Sequence, residues 1–319
     1  MKRFNAYIEN IDRIEFPVTY ECICRCKHCV SADKRTGANS YRGHIDIGSA
    51  IKAIDAASRE FNVQSVMTFG GESLLYPDAV FSIMNKAAAC EIPVRQLITN
   101  GGTWLDEHSL ALLAEKIIGC GVTEVLLSVD SFHKEFISLK KQHMFAAALV
   151  SRGFKSISLS PAWVTSKDSD NMFNYETRQC LDFFSDLGLA ESTGNVITPD
   201  GNAKRYLESY FSKGAYDYDF KCGDAPYTDE LNNVHSISIE PDGSVCVCSF
   251  PIGNIKEKAI IDILAEYDPL SNPVMRALIK GGIRELKSVA FEMGCNAEYE
   301  DYYSPCDFCR GVSSQLMGN

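Results

Sequence analysis

Short apolar runs recur along the first two thirds of the chain, each followed by a longer stretch with helical spacing. The runs Arg13–Tyr20, Ser65–Phe69, Arg95–Thr99, Glu124–Ser128 and Ser156–Ser160 predict strands, with a fainter one at Asn195–Thr198. Between them, Gly48–Phe61, Asp78–Cys90, Asp106–Cys120, Glu135–Arg152 and Tyr175–Leu187 predict helices. Leu110, Leu113 and Ile117 illustrate the spacing that puts apolar side chains on one buried helical stripe. Strands alternating with helices of this length imply βαβ units and a parallel sheet. Six units make an α/β fold of the partial (β/α)6 TIM-barrel kind, short of the closed eight-stranded form. Active sites of such sheets lie at the carboxyl ends of the strands, so the residues just after each strand carry the candidate chemistry.

Past residue 212 the pattern changes. Ser236–Glu240, the turn Pro241-Asp242-Gly243 and Ser244–Cys248 predict a hairpin, and helices follow near Ile260–Tyr267 and Ile283–Met293. Cys222, Cys246, Cys248, Cys295, Cys306 and Cys309 are concentrated here. The expected division is a barrel over residues 1–211 and a small cysteine-built domain over residues 212–319.

Composition narrows the chemistry. With 31 Lys+Arg against 42 Asp+Glu the net charge is −11, which argues against a nucleic-acid partner. The charged N-terminus, Met1-Lys2-Arg3, lacks the apolar core of a signal peptide, and no apolar run approaches the ~20 residues of a membrane span. A cytoplasmic location follows as the expectation. In that reducing setting 13 cysteines read as metal ligands or catalytic thiols rather than disulfides.

Cys22-Ile23-Cys24-Arg25-Cys26-Lys27-His28-Cys29 sets three thiols in a C-x3-C-x2-C spacing directly after the first strand. A four-iron cluster takes one thiolate per iron, so three leave one iron open for chemistry. The alternative is a structural zinc ion, with His28 or Cys24 as its fourth ligand. Three further motifs also follow strands: Phe69-Gly70-Gly71-Glu72, Thr99-Asn100-Gly101 and Ser128-Val129-Asp130-Ser131. Taken in order, these resemble the radical S-adenosylmethionine (SAM) superfamily. The resemblance implies a [4Fe–4S] cluster on Cys22, Cys26 and Cys29 whose open iron chelates SAM. It also implies that His28 packs near the adenine and that Gly70, Gly71 and Glu72 serve the SAM amino group. Asn100 ends the third strand, Ser128 and Asp130 are assigned to the ribose, and Ser160 joins them as a further candidate.

The segment Ile239–Cys248, followed by Ile252-Gly253-Asn254-Ile255, resembles the hairpin of SPASM or twitch domains, which carry auxiliary [4Fe–4S] clusters. Six thiols suffice for one such cluster, and the resemblance implies Cys248, Cys306 and Cys309 as ligands. Cys295 is the expected fourth, with Cys246 as alternate and Cys222 also in contention. Cys222 is otherwise read as a catalytic thiol. Cys24, Cys90, Cys120 and Cys180 are read as structural.

Length and layout resemble the peptide-epimerising members of the superfamily. That implies a ribosomally made peptide as substrate and an external electron donor such as flavodoxin or ferredoxin. A 5′-deoxyadenosyl radical would remove a Cα hydrogen and Cys222 would return one from the opposite face, giving a D-residue. Two other readings stand beside it. One is oxidation to a crosslink or carbonyl, as by a peptide maturase or a dehydrogenase, with Cys222 a cluster ligand. The other is a non-catalytic iron–sulfur electron carrier, which would have no need of a SAM pocket.

Overall fold

Five of the six strand-like runs lie side by side in the computed structural model, which describes residues 5–36, 40–225 and 228–317. β1 (Arg13–Thr19), β2 (Ser65–Gly70), β3 (Val94–Thr99), β4 (Glu124–Ser128) and β5 (Ile157–Ser160) pair in parallel, each with the next. Alternation explains β1: Ile14, Phe16 and Val18 are fully buried beneath the sheet, while Arg13 and Glu15 face the other way.

The sixth position differs from expectation. β6 (Ala162–Trp163) pairs with β8 (Asn195–Val196) in a separate two-stranded ribbon, and the strand that extends the main sheet beside β5 is β7 (Ala190–Glu191). Both residues of β7 are exposed, so it has no apolar signature to read.

The C-terminal hairpin also joins this sheet. β9 (Ser236–Ile239), β10 (Ser244–Val247) and β11 (Phe250–Asn254) follow in sequence. β9 runs parallel to β1, with Arg13 opposite Ser236 and Glu15 opposite Ser238. Among the described residues the sheet is nine-stranded, ordered β11-β10-β9-β1-β2-β3-β4-β5-β7. Ile237, Ile239, Val245 and Val247 therefore share one hydrophobic core with Ile14, Phe16 and Val66.

Helices pack against the buried face. Ile47–Glu60 begins at Asp46, whose carboxylate accepts the Ser49 N–H at 2.8 Å, a cap worth about 1 kcal/mol. It buries Ala50, Ala53, Ile54 and Ala57 at helical spacing. The helix expected over residues 135–152 is shorter, Leu139–Ser151, and a separate one-turn helix, Ser131–Lys134 capped by Asp130, precedes it. Pro273–Glu292 starts ten residues before the helix expected at Ile283 and is broken inside by Gly281 and Gly282. Gly282 has φ +64°, and a Cβ there would lie 2.2 Å from the Phe220 carbonyl oxygen, so the close approach requires glycine. No described helix is long and apolar enough to cross a membrane.

Candidate active site and thiol centres

The chain leaves β1 at Thr19, whose hydroxyl accepts the Glu21 N–H at 3.0 Å and donates to the Gly43 carbonyl at 2.6 Å. Cys22, Cys24, Cys26 and Cys29 then face one cavity of about 250 Å3. The loop is held by its backbone. Arg25 donates to the carbonyls of Cys22 and Cys24, Arg35 donates to that of Cys24, and the Cys29 N–H closes onto Cys26 O. Asn202 adds two bonds from far along the chain: its N–H reaches Cys29 O and its side-chain amide Cys26 O, both at 3.0 Å. Spacing alone gave no sign of Asn202.

Gly70 and Gly71 border the cavity beside the loop. A Cβ on Gly70 would lie 2.3 Å from Thr19 O, and one on Gly71 2.1 Å from Glu21 O. The two glycines thus allow β2 to pack against the start of the cluster loop, a role distinct from the ligand approach expected of them. Glu72 is also placed differently. It is buried, and its carboxylate accepts from Leu74 N–H (2.9 Å), the Thr99 hydroxyl (2.7 Å) and Asn100 N–H (2.6 Å), tying the end of β2 to that of β3. Burial raises its pKa against the pull of these bonds. Glu72 itself is not among the residues that line the cavity.

Asn100, Ser128, Asp130 and Ser160 line the cavity at the ends of β3, β4 and β5, and His28 joins them from the loop. The Asn100 amide lies 3.7 Å from the sulfurs of both Cys22 and Cys24. His28 packs against Phe132 with ring centroids 4.9 Å apart, and its buried Nδ1 has no partner among the described residues. Burial lowers its pKa to about 4, keeping the imidazole neutral.

Asp130 departs from the ribose assignment. Oδ1 caps Phe132 and His133 N–H at 3.0 and 2.9 Å, Oδ2 accepts Ala162 N–H at 3.2 Å, and both oxygens lie 2.9 Å from His133 Nδ1. Burial opposes its charge, but His133 beside it holds the carboxyl down at about 2. Conversely, burial works against charge on His133, and the Asp130 carboxylate outweighs it and raises the imidazole's pKa.

A second set of thiols gathers around another cavity. Cys222, Cys248, Cys306 and Cys309 line it together with Phe220, Phe250, Ile283 and Arg310. Burial, then the neighbouring Cys309, Cys248 and Cys306, push the Cys222 thiol up, while burial carries Cys309 up to about 12. Cys295, the expected fourth ligand, lies elsewhere and donates to Gln315 Oε1 at 3.0 Å in the core. Cys222 takes the place expected of Cys295, because the break at Gly282 docks Phe220, two residues before it, with the Ile283 N–H on Phe220 O. Cys246 is apart from the set as well. Burial, and then the charge of nearby Glu240, carry its thiol up to about 12. Tyr20, a wall residue of the first cavity, donates to the Glu240 carboxylate, which also accepts Lys34 at 3.1 Å.

The two centres are linked. Lys204 pairs with Asp307, which falls between Cys306 and Cys309, and Asp200 pairs with Arg310. These partners flank Asn202, the residue that fastens the first loop. Among the described residues only His28, Asp130 and His133 bring three ligand atoms within 4.8 Å of one another. Neither thiol set brings three sulfurs within that limit.

Residues 16–149 match the model of the Radical SAM superfamily. No curated protein matches the chain. Among solved structures the chain is similar to BtrN in complex with AdoMet and 2-DOIA, at 15% identity over 92% of this chain and 98% of that one, with a TM-score of 0.51. It is also similar to anSMEcpe with bound AdoMet, at 14% identity over 97% of this chain and 96% of that one, with a TM-score of 0.51. At such identities the likeness is one of fold. The matched segment contains the first cysteine loop, Gly70-Gly71-Glu72 and the ends of β3 and β4, and over those residues the chain is similar to the Radical SAM superfamily.

Proposed function

We propose that the protein is a radical SAM enzyme that oxidises a residue of a ribosomally made peptide, forming a crosslink or a carbonyl. Cys22, Cys26 and Cys29 would hold the SAM-binding [4Fe–4S] cluster, and Cys222, Cys248, Cys306 and Cys309 an auxiliary one. Together with SAM these groups supply a 5′-deoxyadenosyl radical for hydrogen abstraction and an acceptor for the electron left on the substrate. The chain's own part is to hold the loop through Arg25, Arg35 and Asn202, and to wall the SAM cavity with Asn100, Ser128 and Ser160. An external donor such as flavodoxin or ferredoxin would reduce the first cluster.

The observation that carries this reading is the company of Cys222. A thiol grouped with three others around one cavity serves as a ligand and is not free to return hydrogen to a substrate. The test is iron content and chemistry of anaerobically reconstituted protein. Two clusters give about eight irons per chain; Cys222→Ala should retain about half, and Cys295→Ala all. With a peptide substrate, oxidation lowers the product mass by two hydrogens. Unchanged mass in ordinary water, together with deuterium taken up in heavy water, would overturn it in favour of epimerisation.

That second reading has one observation behind it. Cys246 belongs to neither thiol set and lies beside Glu240 on β10, with Tyr20 leading from there to the SAM cavity. If the product is a D-residue, Cys246 replaces Cys222 as the hydrogen donor, and Cys246→Ala removes the deuterium uptake.

A further inference from the structure

The end of β4 holds a pair of side chains that the reading above does not use. Asp130 is 1% exposed, and its two oxygens are engaged by three backbone N–H groups and His133 Nδ1. A carboxylate offers about four lone-pair positions, so none remains for a ligand hydroxyl. His133 is the reverse case. Its Nδ1 is fixed on Asp130, while Nε2 has no hydrogen-bond partner among the described residues, and the ring lines the same cavity as Cys22, Cys29, Gly70, Asn100 and Ser128. Its ring also stands 5.2 Å from that of His28.

We propose that His133, not Asp130, is the side chain of the β4 end that binds SAM, with its Nε2 on a ribose hydroxyl and Asp130 as the positioning residue behind it. A hydroxyl suits this nitrogen in either protonation state, since it both donates and accepts. An Asp–His pair at a strand end fixes the ring's direction as a second carboxylate or amide would fix a metal-ligating histidine. The inference rests on the radical SAM reading of the cavity.

The test measures equilibrium binding to cluster-loaded protein of three probes: SAM, 5′-methylthioadenosine, which has the ribose but no carboxylate, and methionine, which has the reverse. His133→Ala should weaken SAM and 5′-methylthioadenosine alike by about tenfold, the worth of one hydrogen bond, and leave methionine unchanged. His133→Gln, which keeps donor and acceptor atoms, should recover part of the loss. The ultraviolet–visible spectrum of the loaded protein reports whether either variant still holds its clusters. A loss confined to methionine would put His133 on the carboxylate and overturn the ribose assignment. Unchanged binding of all three probes would remove His133 from the site while leaving the radical SAM reading intact. Wild-type protein that binds neither SAM nor 5′-methylthioadenosine would bring down both. One divalent ion per chain in iron-free wild-type protein, lost in His133→Ala, would instead make His28, Asp130 and His133 a metal site.

Discussion

The two thiol centres are built in opposite ways. The first takes its cysteines from eight consecutive residues and fastens the loop they form by hydrogen bonds to its own carbonyls. The second draws Cys222, Cys248, Cys306 and Cys309 from a turn, a strand end and a helix start that meet only once the chain is folded. A local centre needs its loop, a strand end to hang from and a few bonds from elsewhere, here those of Arg35 and Asn202. A dispersed one depends on every packing contact that brings its pieces together.

This contrast can be broken at several points. Replacing Cys22, Cys26 and Cys29 with alanine should abolish 5′-deoxyadenosine formation from SAM and dithionite, the largest effect, while leaving the iron of the second centre in place. Iron lost from both centres would show that the local centre also organises the dispersed one.

Next in size are two glycine substitutions. Gly71→Ala sets a Cβ 2.1 Å from Glu21 O, and Gly282→Ala sets one 2.2 Å from Phe220 O. Each should cost about 3 kcal/mol or more, read as a lowered midpoint in urea. They should part in what they damage: Gly71→Ala the iron of the first centre, Gly282→Ala that of the second. Equal loss from both centres in either variant would contradict the division into local and dispersed.

Asn202→Ala removes a buried side-chain bond to Cys26 O, worth about 1–2 kcal/mol. The expected result is faster bleaching of the first cluster in air than in wild type, with overall stability lowered by no more than that amount. A comparable effect concerns Asp130. Its carboxyl is held at about 2, below the ordinary value near 3.9, so its contribution is complete above that ordinary value and fades as pH falls through about 2. The gap in melting temperature between wild type and Asp130→Asn, worth about 2 kcal/mol near neutrality, should narrow steadily below about pH 4. A gap that stays constant into acid would mean that the charge of Asp130 is not what stabilises the pair.

The same contrast decides what could be read from the sequence. The first five strands announce themselves because apolar alternation is a local property, and the cysteine loop because its spacing is contiguous. The end of β4 was legible as a polar site, but not the exchange of roles between Asp130 and His133, which depends on how tightly a short helix turns back on its cap. The Pro241-Asp242-Gly243 turn marked the hairpin, yet nothing near it revealed that Ser236 would pair with Arg13 across more than two hundred residues. Cys295 was chosen as a ligand for its nearness in sequence to Cys306. Cys222 is the one gathered with it, because of a glycine break inside a distant helix.

The segment that carries Asp200, Asn202 and Lys204 touches both centres: Asn202 the first loop, Asp200 and Lys204 the helix of Cys306 and Cys309. Its consequence concerns how the protein matures. Whichever site receives iron first stiffens a segment that the other also touches, so the second should fill faster than the first did without depending on it.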